Sequence, residues 1–229
     1  MNSSLMEILK DLDWSPLYIS IKTAIVATII SFAIGIHLAK KATFYGPKRK
    51  AFVDGILSLP LVLPPTVAGF ILLIIFSKRR PLGSFLFNKF DISVVQTWLG
   101  CILAATIISL PLMYQNARAA FEQVDKNIIY SARTLGMSER KTFYRVLVPA
   151  ARPGLVAGII LCFARAMGEY GATSMIAGNI PGRTGTISQT IAMVISDGNY
   201  IKAGIWVVIV LLISFVIIFA VNIFSNKAE

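Results

Sequence analysis

Arg165 and Glu169 are the first residues whose type and spacing suggest chemistry, because they are the only charges in the apolar run Gly154–Ala177. Four residues apart, they share one side of a helix. A guanidinium held in an apolar setting attracts anions, and a carboxylate there can hold a proton, so an intramembrane charge is a functional candidate by default. The same spacing suits an internal ion pair that neutralises both groups and ties helices together. Both readings stand at this point. A second group is basic: Arg133, Arg140, Lys141 and Arg145 lie in a polar connection and point to water or a partner. Catalytic alternatives are few. His37 is the only histidine, which excludes a histidine-rich metal site and leaves one candidate for a His-based triad. It stands near Lys40 and Lys41, where an interfacial role suits it better. Cys101 and Cys162 fall inside apolar runs and read as buried small hydrophobes. No CxxC, HExxH or G-x-x-x-x-G-K-[ST] phosphate loop occurs. No catalytic residue, metal site or cofactor is therefore expected, and the chain cannot hydrolyse ATP by itself.

The elements that must position these residues are membrane spans. The chain is 56% hydrophobic and only 14% charged, whereas soluble domains carry about a quarter charged residues. The apolar residues fall in runs: Leu17–Ala39, Ala51–Phe76, Val94–Met113, Gly154–Ala177 and Ala203–Phe224. Each is near or above the roughly 20 residues that a helix needs to cross about 30 Å of hydrocarbon. The expectation is an all-α integral membrane protein of about five transmembrane helices, one domain over residues 1–229. Thr184–Ile195 is apolar but too short to span; it dips partway, lies across a pore mouth, or adds a sixth span if the 184–198 segment inserts. The start, Met1–Ser15, carries Glu7, Asp11 and Asp13, which argues against a cleavable signal. Leu5, Ile8, Leu9 and Leu12 sit at helical spacing there, so a short interfacial helix and a frayed end both remain open.

Charge sets the expected orientation. Of 22 lysines and arginines, thirteen lie in Lys40–Lys50, Tyr114–Arg152 and the tail after Phe224, and seven lie in the connections on the other side. The richer side should be cytoplasmic, placing the N-terminus outside and the C-terminus inside a cell membrane. The Lys78–Arg80 cluster runs against this trend. A net charge of +11 distributed this way suits a lipid surface and does not call for nucleic acid.

Two spans carry irregularities. Pro60, Pro64 and Pro65 crowd into Leu59–Pro65, and each removes a backbone donor and disfavours helix before it. A broken or strongly bent helix follows, serving either as a static kink or as part of a pore or gate. In the fourth run, Gly154, Gly158 and Cys162 form one small-residue stripe and Ala164, Gly168 and Ala172 another. Such stripes let membrane helices approach closely. Arg165 lies about 18 Å along this helix from Pro153, near mid-membrane. Pro60, Pro64, Pro65, Arg165, Glu169 and Thr173 are the candidate pore or gate residues.

The long connection Tyr114–Arg152 reads as two short helices around a turn. Val124, Ile128, Ala132 and Leu135 make an apolar stripe, Asp125 is placed as an N-cap, Gly136 as a left-handed stop and Ser138 as a second cap. The second helix carries Phe143, Val146 and Leu147. The stretch Ser131-Ala132-Arg133-Thr134-Leu135-Gly136, with Val146-Leu147-Val148-Pro149 beginning ten residues after the glycine, resembles the coupling-loop signature of ABC importer permeases. That signature reads Glu-Ala-Ala, three residues, Gly, nine residues, Ile-x-Leu-Pro; here Tyr130 and Ser131 replace its Glu and first Ala. Leu59–Gly69 and Phe163–Pro181 further resemble the molybdate permeases, with the sulfate permeases close behind.

The resemblance implies a type I ABC importer permease fold and a homodimer with its pore at the dimer interface. It implies two cytoplasmic ATPase subunits, which bind ATP and Mg themselves, and an external oxyanion-binding protein. Residues 114–152 become the cytoplasmic coupling loop, with Tyr130, Ser131, Ala132, Arg133, Thr134, Leu135, Gly136, Arg140, Arg145 and Pro149 as its ATPase-coupling residues. Molybdate or tungstate is the expected cargo. Sulfate or thiosulfate is the alternative within the class, and a stand-alone secondary carrier or intramembrane enzyme is the alternative outside it.

Overall fold

A computed structural model describes residues 12–43 and 45–226, with side chains described through 219. Three helices are long and apolar enough to cross a membrane unaided: α1 (Ser15–Ala42), α5 (Trp98–Gln123) and α11 (Tyr200–Asn226). Two further helix pairs are long and apolar enough only when taken together, and each is bent at a short break. The helices α2 (Pro47–Val62) and α3 (Pro65–Phe76) meet at 106°, and α7 (Glu139–Ala150) meets α8 (Arg152–Met167) at 75°. Shorter helices complete the chain: α4 (Pro81–Phe90), α6 (Lys126–Thr134), α9 (Gly171–Ala177) and α10 (Ile187–Ser196). The count of five thus holds only if each bent pair is one span. Of the apolar residues in Met1–Ser15, Leu5, Ile8 and Leu9 lie outside the described residues, while Leu12 is buried with Trp206 and Ile187.

α5 is the centre of the bundle and packs against both α1 and α8, which also touch each other. Small and hydroxylated residues make that closeness possible. A Cβ on Gly35 would stand 3.2 Å from the Tyr114 nitrogen, so α1 touches the α5 backbone there. Ser31 and Ser109 hydroxyls lie 3.2 Å apart across the same interface. In lipid, contacts of this kind do the work that water exclusion does in soluble bundles. Lys22, inside the first span, has no acid partner among the described residues: its ammonium sits 3.6 Å from the Trp98 ring centroid, and Trp98 Nε1 donates to Thr23 Oγ1 at 2.9 Å. A cation against an indole face recovers part of the solvation that lipid denies it. α11 holds on through Ala203 and Trp206, while Leu211, Leu212, Phe215 and Phe219 face outward, as suits a lipid-facing helix.

The apolar run Gly154–Ala177 does not form one helix. α8 stops at Gly168 and a new helix begins at Gly171, so Glu169 lies in a break and is not on the helix that carries Arg165. The cause is local. Glu169 accepts the Ala172 N–H at 2.8 Å, a backbone donor that a continuous helix would have used otherwise. The stripes divide accordingly. Gly154 abuts Ala120, Gly158 abuts Asn116 and Cys162 is fully buried, whereas Ala164 and Gly168 are exposed and only Ala172 of the second set is buried. The 184–198 segment forms the ten-residue α10, whose Thr186–Gln189 capping box starts it and which packs on α11 and α1. Ahead of α1, the Asp13 carboxylate accepts the Ser15 N–H and hydroxyl, and those two bonds hold its pKa below the usual 3.8.

Candidate functional site

Two places concentrate the candidate residues. The first is the elbow between α5 and α8. α5 ends where Val124 turns extended, and Asp125 caps α6 by accepting the Asn127 N–H at 2.8 Å. At the other end of α6 the Gly136 N–H donates to the Arg133 carbonyl at 2.9 Å and the Met137 N–H to the Ala132 carbonyl at 3.1 Å. That pair of bonds is a Schellman motif, and it requires the left-handed backbone that Gly136 adopts at φ +77°. Ser138 then caps α7 through the Lys141 N–H. Arg133 pairs with Glu139 at 2.9 Å across the turn, closing the elbow.

Three buried side chains seat the elbow on the ends of the spans: Ala132, Thr142 and Phe143. Phe143 stacks edge-on to Phe121 of α5 with centroids 5.5 Å apart and lies under the Lys40 ammonium of α1. The expected apolar stripe is not continuous. Val124 is half-buried and Ala132 buried, but Ile128 is 48% and Leu135 82% exposed. α6 has only nine residues, and Leu135 falls just past its end, at the tip. The tip therefore presents Leu135, with Tyr130 and Tyr144 also exposed and Arg140 and Arg145 beside them. Thr134 donates its hydroxyl to the Tyr130 carbonyl, and Ser131 is exposed on the same helix. Pro149 stands in the last turn of α7, just before the 75° bend at Ala151. The helix widens to a π turn at Phe143–Leu147, which sequence periodicity did not register. Such turns recur at functional sites.

The second place is where the break between α2 and α3 meets the break between α8 and α9. A Cβ on Gly69 of α3 would lie 2.6 Å from Ala172 Cα, and one on Gly171 would lie 3.0 Å from Pro65 Cβ. The proline break and the Gly168–Gly171 break, far apart in sequence, are therefore in contact through Pro65 and Gly171. Pro60 lies within α2, on the far side of the 106° bend, and Pro64 is exposed at the bend itself. Glu169 is 3% exposed and joins Arg165 at 2.8 Å. With the Ala172 bond it stitches the end of α8 to the start of α9. Thr173 is buried beside it. Of the two sequence readings for Arg165 and Glu169, the ion pair is the one formed, although the Arg165 side chain keeps 30% of its surface open.

Sequence reasoning missed one further junction. Asp54 accepts from the Tyr114 hydroxyl and from Arg118, and Ser58 bonds Gln115 at 3.0 Å, tying α2 to the lower half of α5. The signal was present, since Asp54 is the only charge in Ala51–Phe76 and a charge in lipid requires a partner. Lys50 and Glu122 pair nearby. The elbow and the crossing are joined by α8, about 20 Å from Arg152 to Arg165.

A chain with two broken spans meeting inside the bundle, and an exposed elbow linked to them by one helix, matches a known group of membrane proteins. Residues 21–228 fit the family model described as the binding-protein-dependent transport system inner membrane component. The chain belongs to that family. This permease is 40% identical over 183 residues to the molybdenum transport system permease protein ModB of Escherichia coli, covering 79% of each. It is 32% identical over 209 residues to the sulfate transport system permease protein CysT of the same organism, covering 91% of this chain and 75% of that one. Among solved structures it superposes on a chain of the MetNI methionine ABC transporter in an inward-facing conformation, with TM-score 0.76 over the full length of both at 16% identity. The permease has the type I ABC importer fold, and it is an inner-membrane permease of the molybdate and sulfate type.

Proposed function

We propose that this permease is the membrane channel of an ATP-driven molybdate importer, with tungstate a second cargo, and that it works as a homodimer on two separate ATPase subunits. The observation that carries the coupling role is the elbow: a Schellman turn at Gly136 holds Leu135 out at 82% exposure on a rigid, capped base. An apolar tip flanked by exposed basic side chains suits insertion into a groove on a soluble partner. The ATPases bind ATP and Mg and close; the elbow moves with them; α8 carries that movement to the crossing of the broken spans. There the pore alternates between inward- and outward-facing states. The excess of basic residues beside the elbow supports a cytoplasmic placement, with the N-terminus outside. An external binding protein would deliver the anion. Selectivity need not reside in this chain, because permeation asks for weak, multi-site attraction, and Arg165 is already paired with Glu169.

The molybdate reading is supported by the 40% identity to ModB, and the sulfate reading retains the 32% identity to CysT. Co-purification from native membranes, followed by identification of the anion held by the accompanying binding protein, separates them. Recovery of an ATPase and a molybdate-loaded binding protein is expected. Recovery of a sulfate-loaded protein would transfer the assignment, and transport by the purified chain alone would refute ATP coupling.

A further inference from the structure

Behind the elbow lies a half-open cavity of about 620 Å³ between the last turn of α1, the start of α2, the end of α5, α6 and α7. It shares Tyr130 and Arg133 with the elbow and no residue with the crossing of the broken segments. Its walls mix aromatic faces with cations, among them Lys40, Tyr45, Lys126, Tyr130 and Phe143. Two of the charged pairs around it are internally settled, Lys50 with Glu122 and Arg133 with Glu139. Lys40 and Lys126 have no acid partner among the described residues, which leaves a surplus of positive charge. Lys40 is instead held in place by aromatic rings, its ammonium 4.2 Å from the Phe143 centroid. Thr142 lies buried behind this wall, its hydroxyl covered by the protein.

The level of the cavity narrows the occupant. Lys40 stands about 37 Å along α1 from Ser15, beyond the roughly 30 Å hydrocarbon layer and therefore among headgroups. A bare tetrahedral anion would use the cations but would leave most of this volume and its aromatic walls unfilled. A phospholipid uses both: phosphate for Lys40 and Lys126, glycerol and upper acyl chain for Tyr45 and Phe143. Basic pockets between span ends recognise anionic headgroups by this combination. We infer that the cavity behind the elbow binds the phosphate headgroup of an anionic phospholipid, which wedges the elbow against the ends of α1 and α5. The inference rests on the cavity itself and holds whichever protein receives the tip.

The test uses the purified full chain in neutral detergent, with native mass spectrometry counting retained phosphatidylglycerol against phosphatidylcholine. Phosphatidylglycerol should be retained preferentially, and Lys40→Gln should weaken that retention by about tenfold, the worth of one charge-assisted bond. Lys126→Gln, at an exposed position, repeats the charge test should Lys40→Gln fold poorly, and Lys89→Gln on the opposite side should change nothing. Equal retention of the two lipids, or retention indifferent to Lys40 and Lys126, would overturn the proposal. Displacement by inorganic phosphate with no lipid preference would assign the cavity to a free oxyanion and overturn the lipid assignment.

Discussion

Replacing Gly136 with valine attacks the elbow through its backbone alone. Gly136 has φ +77°, and a Cβ built there meets nothing within 4 Å, so no steric contact with the rest of the protein enters. The cost is conformational: about 1–2 kcal/mol for an L-residue in the left-handed region, with a β-branched side chain at the upper end. In equilibrium terms this disfavours the built turn by about five- to thirty-fold. What is lost is the pair of bonds from Gly136 and Met137 to Arg133 and Ala132, and with them the angle at which α7 leaves α6. The helices α1, α5, α8 and α11 do not contain that turn. Gly136→Val should therefore leave helix content and membrane insertion intact while reducing ATPase co-purification and anion uptake by a similar factor. Gly136→Asn is the control, because asparagine tolerates the left-handed region and should retain most coupling. Circular dichroism, affinity co-purification and radiolabelled uptake read the three quantities separately. Equal uptake by the valine variant, the asparagine variant and the parent would refute the reasoning.

Other outcomes follow from the same geometry. Glu169→Gln leaves Arg165 unpaired in the bundle and should destabilise by about 1–3 kcal/mol, discounted for the partial exposure of the arginine; the double variant with Arg165→Gln should recover part of this in a thermal double-mutant cycle. Gly69→Ala places a Cβ 2.6 Å from the Ala172 backbone and should cost about 1–3 kcal/mol of overpacking, visible as a lowered melting temperature. Asp54→Asn removes the charged tie between α2 and α5; since α2 has no buried residue, its cleavage by added protease should accelerate while the cleavage of α1 does not.

Much of the fold was legible because lipid simplifies the code. A helix that crosses hydrocarbon must satisfy its backbone internally, so apolar run length alone located α1, α5 and α11 to within a few residues at their starts. The proline break was legible for the same reason, since three prolines in Leu59–Pro65 cannot all sit in an unbroken helix; Pro60 is tolerated inside α2 and the bend falls at Leu63–Pro64. The elbow's caps were readable from Asp125, Gly136 and Ser138, each a residue with one strong local preference. The break at Gly168–Tyr170 was not, because it depends on where a carboxylate bonds in three dimensions. Glu169 at four residues from Arg165 looks the same on a helix as beyond its end. The stripe from Val124 to Leu135 is discontinuous for a related reason: periodicity extends past a helix terminus, and the backbone does not. The contact between Pro65 and Gly171 joins segments about a hundred residues apart, and no local pattern in either announces the other.

The central claim is that the elbow faces the cytoplasm and carries a soluble engine's movement into the spans. A cysteine introduced by Leu135→Cys tests it directly, because Leu135 is 82% exposed while native Cys101 and Cys162 are fully buried and leave little background. A membrane-impermeant maleimide should label this variant in inside-out vesicles, should fail to label it in intact cells, and should be blocked when the ATPase subunits are bound. Labelling from outside intact cells, or labelling indifferent to the ATPase, would contradict the account.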